Sequence, residues 1–150
     1  MHFAMQRDML LCSLGESQKM VLSTSLGNKV TSRTMSIVIM NGKFYFQTDI
    51  MFRKYEQLLG NQYVALCLGN TQIEGVCMEC GRPEDNPAFC EVYKKQFPSA
   101  YNRYTGLENE RVFEVTPSHI QKWIYEDDQP FVERLDFVNM TYNKEQYTGV

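Results

Sequence analysis

Between Lys19 and Val115 the chain is a succession of short β-forming runs broken by turn residues. Met20-Val21-Leu22-Ser23-Thr24-Ser25 is the first, and Leu26-Gly27-Asn28-Lys29 turns it into a second run over residues 30–40. Asn41-Gly42 suits the two-residue turn of a hairpin and leads into Phe44-Tyr45-Phe46-Gln47-Thr48, so three consecutive antiparallel strands are predicted. After Asp49, a candidate helix cap, the period changes: Phe52, Tyr55, Leu58 and Leu59 fall on one helical face that Gly60 ends. Strand signals return at 63–68 and, past Gly69-Asn70-Thr71, at 73–80. Asn86-Pro87 opens a helix through Phe97 that Pro98 terminates. A sixth strand is expected at 111–115, a helical turn from Thr116-Pro117 toward Trp123, and a last strand over 131–137. Phe3, Leu10 and Leu14 recur at near-helical spacing ahead of Gly15, predicting an N-terminal helix over one end of the sheet. The expected fold is mainly β: a six- to seven-stranded antiparallel barrel with peripheral helices, which leaves few open strand edges.

Composition narrows the class. A length of 150 residues is one domain, and 43% hydrophobic with 13% aromatic residues supplies a packed core. The net charge of −3, without any cluster of four or more consecutive Lys and Arg, argues against nucleic acid or an acidic membrane surface as partner. No apolar stretch approaches the length of a membrane-spanning helix. The five cysteines are an odd number and the first residues do not read as a secretory signal, so reduced thiols in a cytoplasmic protein are expected. Cys77 and Cys80 have the spacing of a metal half-site, but residues three apart on a strand point to opposite faces, and no metal site is expected there.

Candidate chemistry gathers after the third strand. Thr48 ends that strand, and Arg53 and Lys54 fall near the first turn of the following helix. Cations there oppose the positive end of the helix dipole, by about 0.3–1 kcal/mol each, so their placement invites an anion. Helix-start N–H groups, a threonine hydroxyl, a guanidinium and an ammonium together match the oxygens of a phosphate. Arg33 strengthens this reading. Strand alternation puts it on the face of Met35, Ile37 and Ile39, where a permanent charge has no nearby carboxylate.

These pieces carry a resemblance. Leu22-Ser23-Thr24, Ser32-Arg33-Thr34-Met35, Phe44-Tyr45-Phe46-Gln47-Thr48, Arg53-Lys54 with Gln57-Leu58 and Asn61, Val64-Ala65-Leu66 and Gly75 closely resemble the pyridoxamine 5'-phosphate oxidase-like, FMN-binding split-barrel superfamily. The likeness spans residues 19–125 and includes Phe113-Glu114-Val115-Thr116-Pro117, Ile120 and Trp123. It implies a single FMN-binding split-barrel domain over 1–150, with Arg33, Arg53 and Lys54 on the FMN phosphate and Thr34, Met35, Ser36, Gln47 and Thr48 around the flavin. It also implies a homodimer with the flavin at the subunit interface, completed by partner residues around Gln72 or Trp123. The implied function is an FMN-dependent oxidoreductase acting on a small molecule, and some small members of the group resemble nitroimidazole-resistance reductases. The alternatives are a flavin carrier, store or stress-related protein without turnover, or a split barrel for haem or a deazaflavin.

Departures from the oxidase pattern weigh against oxidation of pyridoxine phosphate. Such oxidases carry a lysine near position 38 and an arginine-histidine pair near the C-terminus, whereas this chain has Val38 and, in Phe131-Val132-Glu133-Arg134-Leu135-Asp136, no histidine. His119 is expected as a surface or capping residue at a helical start, and Tyr93, Tyr101 and Tyr104 as packing residues, with one or two available to the substrate side of a flavin.

Overall fold

A computed structural model describes residues 2–149. Helix α1 (His2–Leu14) is followed by β1 (Ser17–Leu26), β2 (Lys29–Met40), β3 (Lys43–Asp49), α2 (Arg53–Gly60), β4 (Tyr63–Leu68) and β5 (Thr71–Glu79). Helix α3 (Pro87–Gln96) leads through a short helical stretch over residues 98–105 into β6 (Glu110–Glu126), β7 (Gln129–Asp136) and β8 (Thr141–Gln146). The sheet runs β3-β2-β1-β4-β5-β6-β7-β8, and β3 also pairs with β6, so six strands close into an antiparallel barrel and β7 and β8 extend from it.

Both sequence-predicted tight turns form as two-residue connections with positive φ at each central residue: Gly27 and Asn28, then Asn41 and Gly42. Inward positions of the barrel strands make one core, including Leu22, Ile37, Phe44, Phe46, Leu66, Ile73, Phe113 and Val115. Phe46 and Phe113 stack there with ring centroids 5.4 Å apart. Phe3 and Leu14 of α1 join this core, as the spacing in that helix requires. Outside the barrel, α3 lays Phe89 and Tyr93 against Val38, Tyr45 and Val112.

Three expectations change. Thr116-Pro117 does not start a helix, because β6 runs unbroken through it. The proline is accommodated by a bulge: Glu74 pairs with His119 and Gly75 with Pro117, so Ser118 is the extra residue. The Ser118 hydroxyl then donates to the Glu74 carbonyl at 3.1 Å. Gly75 is required here, since a Cβ would lie 2.6 Å from Val115 Cγ1 and 2.8 Å from the Thr116 carbonyl oxygen. Second, the closed barrel has six strands, within the expected six to seven, but the sheet continues past the expected last strand, β7, into β8. The polar run Thr141-Tyr142-Asn143-Lys144-Glu145-Gln146 gives no hydrophobic alternation, and it is held as an edge strand by Arg134–Glu145 and Lys144–Glu126 ion pairs. Third, α2 begins at Arg53 rather than at Asp49. Asp49 Oδ1 accepts from the Met51 N–H at 2.7 Å and makes a turn of its own. Phe52 and Leu59 are consequently exposed, and α2 seats itself with Gln57 and Leu58 instead.

Candidate functional site

The barrel end covered by α2 collects the residues that sequence reasoning singled out. Arg33 lies on the inner face of β2, directly opposite Leu22 of β1, and Thr48 on the inner face of β3. Because α2 starts at Arg53, both Arg53 and Lys54 sit in its first turn, the position the dipole disfavours for cations. The three positive groups are close enough to perturb one another. Burial lowers the Arg33 guanidinium from its ordinary value, with Arg53 adding to the effect, and burial followed by the Arg33 charge lowers the Lys54 ammonium. Among the described residues none of the three is ion-paired with a carboxylate. Lys54 Nζ rests over the Phe52 ring, 4.5 Å from its centroid, which steadies the side chain without neutralising it.

From this cluster a cleft of about 400 Å³ runs outward, bounded by Met35, Gln47, Thr48, Lys54, Tyr93 and Glu110 among others. That size falls within the range of small-molecule and cofactor sites. Its polar inventory is uneven. Gln47 is buried and accepts from the Thr105 hydroxyl at 3.0 Å. The Thr48 hydroxyl is buried with no partner, a state that costs about 1–3 kcal/mol and marks the place where a ligand oxygen would be accommodated. Four of the eight expected cofactor residues, Met35, Gln47, Thr48 and Lys54, therefore line one cleft, and Arg33 and Arg53 adjoin it through Lys54. Thr34 is exposed and Ser36 half-buried on the opposite face of β2, so their side chains do not line it. Gln72 and Trp123 also lie away from the cleft of their own chain: Gln72 is exposed on β5, and Trp123 packs against Tyr125 and Tyr147.

Sequence reading missed two participants. Glu110 begins β6, is 5% exposed, and stands opposite Asp49 across the β3–β6 pairing. Within Glu108-Asn109-Glu110-Arg111 it reads as part of a solvated turn, and only the pairing register brings it to the cleft. Burial, then the Asp49 charge, pushes its carboxyl up to about 7, while Lys54 pulls the other way. Gln57 was visible as part of the motif but had no role assigned. It lies one helical turn beyond Arg53, a spacing that would have placed both on one flank of α2.

The remaining candidates stand apart from this site. His119 is on a strand, with Nδ1 buried, unpartnered and 3.8 Å from a Glu74 carboxylate oxygen. Cys77 is buried and Cys80 half-buried, and among the described residues no group of three metal-ligating side chains converges. No helix among the described residues is long and apolar enough to cross a membrane. Val38, at the position where the oxidases carry a lysine, is fully buried beneath α3, and Arg134 is engaged by Glu145.

No protein-family model matches the sequence, and no curated protein matches it. Solved structures do. A pyridoxamine 5'-phosphate oxidase-related, FMN-binding protein from Nostoc punctiforme is 12% identical, with a TM-score of 0.63 over 97% of this chain and 94% of that one. A NimC/NimA family protein from Clostridium acetobutylicum is 15% identical, with a TM-score of 0.57 over 97% and 93%. PhzG from Burkholderia lata, solved with tetrahydrophenazine-1-carboxylic acid, is 12% identical, with a TM-score of 0.64 over 96% and 90%. At such identities the likeness speaks for the backbone, and it agrees with the barrel closure and strand order described above. The chain shares the fold of these solved proteins, a closed antiparallel split barrel.

Proposed function

We propose that this protein binds FMN by its phosphate and serves as an FMN-dependent oxidoreductase for a small molecule other than pyridoxine phosphate. The observation that carries the reading is the buried, partnerless Thr48 hydroxyl beside three cations, none of which is ion-paired with a carboxylate among the described residues. A phosphate would accept from Thr48, from the Arg33 and Arg53 forks and from Lys54, and would relieve the repulsion among them. Gln47, Met35 and the main chain of β2 would border the ring, and Tyr93 and Tyr104 would wall the side left for substrate. When bound, FMN would supply the electron-accepting centre, and the chain's own groups would orient the ring and tune it.

The same reading includes a homodimer. The outward face of β1, β2, β4 and β5 carries exposed Val21, Val30, Tyr63 and Met78, and a second copy placed there would bring Gln72 or Trp123 toward the other subunit's flavin.

The test compares FMN with riboflavin, which lacks the phosphate, by flavin fluorescence titration. Arg33→Ala and Lys54→Ala are expected to weaken FMN at least about tenfold, the value of one charge-assisted hydrogen bond, while leaving riboflavin nearly unchanged. Equal losses for both ligands would remove the phosphate from this site. Anaerobic addition of NADH or NADPH to the yellow protein then tests turnover, and a flavin that never bleaches would exclude a nicotinamide-driven reductase.

A further inference from the structure

Arg33 is held firmly without being neutralised. Its Nη1 donates to the Leu22 carbonyl at 3.1 Å and its Nη2 to the Thr31 hydroxyl at 2.5 Å, with Gln57 Oε1 at 3.4 Å from the same nitrogen. The proton directions around Gln57 are fixed by chemistry, because an amide oxygen only accepts. Thr24 Oγ1 at 2.7 Å and Thr31 Oγ1 at 2.8 Å must both donate to it. Thr31, having given its proton to Gln57, can only offer a lone pair to Arg33. One buried oxygen on α2 thus sets the polarity of the link that runs through Thr31 of β2 to the guanidinium, and it takes the Thr24 proton from β1 as well.

We propose that Gln57 is a positioning residue that determines phosphate specificity. Its neutral oxygen aims the Arg33 fork and docks α2, and with it Arg53 and Lys54, while leaving the charge of Arg33 for the ligand. The inference rests on the phosphate reading above and deepens it. A glutamate would occupy the same volume and accept the same two hydroxyl bonds, but it would also form a buried ion pair with Arg33 and cancel the charge that a phosphate needs. An amide at this position is therefore a choice of charge rather than of shape. The immediate surroundings agree, since the acceptors around Arg33 are a carbonyl, a hydroxyl and an amide oxygen.

Gln57→Glu separates this role from a structural one. The expected result is a folded variant whose riboflavin affinity stays within about twofold of the parent, while its preference for FMN over riboflavin falls at least about tenfold. Thr31→Val removes the hydroxyl between Gln57 and Arg33 without adding charge, and is expected to lower the same preference by roughly three- to tenfold. Titrations of the whole protein with FMN and riboflavin, alongside melting curves, read both variants. A parent that binds the two flavins equally would sink the phosphate reading and this inference together. A parent that prefers FMN, with either folded variant retaining that full preference or losing both ligands alike, would overturn the role of Gln57 alone.

Discussion

Glu110→Gln tests whether the carboxylate of the cleft is as isolated as the structure makes it. Glu110 is 5% exposed, faces Asp49 across the β3–β6 pairing, and shares the cleft with Lys54 from α2, Tyr93 from α3 and Tyr104 from the turn that follows. Asp49 keeps its own charge occupied with the Met51 N–H, so it offers Glu110 only repulsion. The carboxyl is accordingly pushed from 4.5 to about 7, by burial first and Asp49 second. A raised carboxyl value means that the folded state holds a proton the unfolded chain releases. Its stability contribution is complete below about pH 4.5 and is lost as pH rises through about 7. At about 1.36 kcal/mol per unit the full shift is worth about 3 kcal/mol, and water reaching the open cleft reduces this to about 1–3 kcal/mol. Glutamine imitates the protonated form at every pH. Urea unfolding at pH 5, 6.5 and 8.5 should show parent and variant close together at pH 5, with the variant more stable by about 1–3 kcal/mol at pH 8.5. Because Glu110 and an incoming phosphate draw on the same ammonium, the variant should also bind FMN more tightly than the parent above pH 7. Stability curves that stay parallel from pH 5 to 8.5 would refute the reasoning, for they would mean that Glu110 is ionised in the fold at no cost.

Two further outcomes probe the scaffold that presents the site. Gly75→Ala forces a methyl against Val115 Cγ1 and the Thr116 carbonyl, and a backbone oxygen cannot step aside as a side-chain end can. A loss of about 1–3 kcal/mol is expected, read as a lower urea midpoint at unchanged slope, and a variant as stable as the parent would show that the strands at the bulge can give way to a methyl. Tyr55→Phe removes the hydroxyl that donates to Glu79 Oε1 at 2.7 Å and ties α2 to β5. Its cost is expected at about 0.5–1.5 kcal/mol in the same unfolding assay, and no loss would show that the hydroxyl adds nothing to the hold of Gln57, Leu58 and the Tyr55 ring against Phe113.

The barrel strands were legible where local chemistry and burial agree. Asn41-Gly42 demanded a tight hairpin wherever the rest of the chain lay, and the alternation of β2 put Arg33 on the inner face with Ile37 and Ile39 before any contact was known. What misled was a residue whose local preference yields to its partner strand. Pro117 punctuates the sequence as a helix start, yet its strand continues past it through a bulge opposite Gly75, some forty residues away in the chain, where the lack of a Cβ lets the strands approach at Val115 and the Thr116 carbonyl. Strand β8 was illegible for a different reason, since a polar edge strand buries too little to show a period and is held through cross-strand charges.

The same distinction runs through the site. Arg33, Thr48, Arg53 and Lys54 could be read from the chain because each is anomalous where it stands: a cation on an apolar face, two cations at a helix start, a hydroxyl closing a hydrophobic strand. Glu110 and Gln57 are unremarkable locally and acquire meaning only through what closure sets beside them, a second carboxylate in one case and a guanidinium in the other. The two act in opposite senses. Gln57 leaves the positive charge of Arg33 unspent, and Glu110 draws on that of Lys54 until it takes up a proton. An anion entering this cleft therefore meets one cation that is always available and another whose availability falls as pH rises through about 7, so the affinity of the site is set by the neighbours of its cations as much as by the cations themselves.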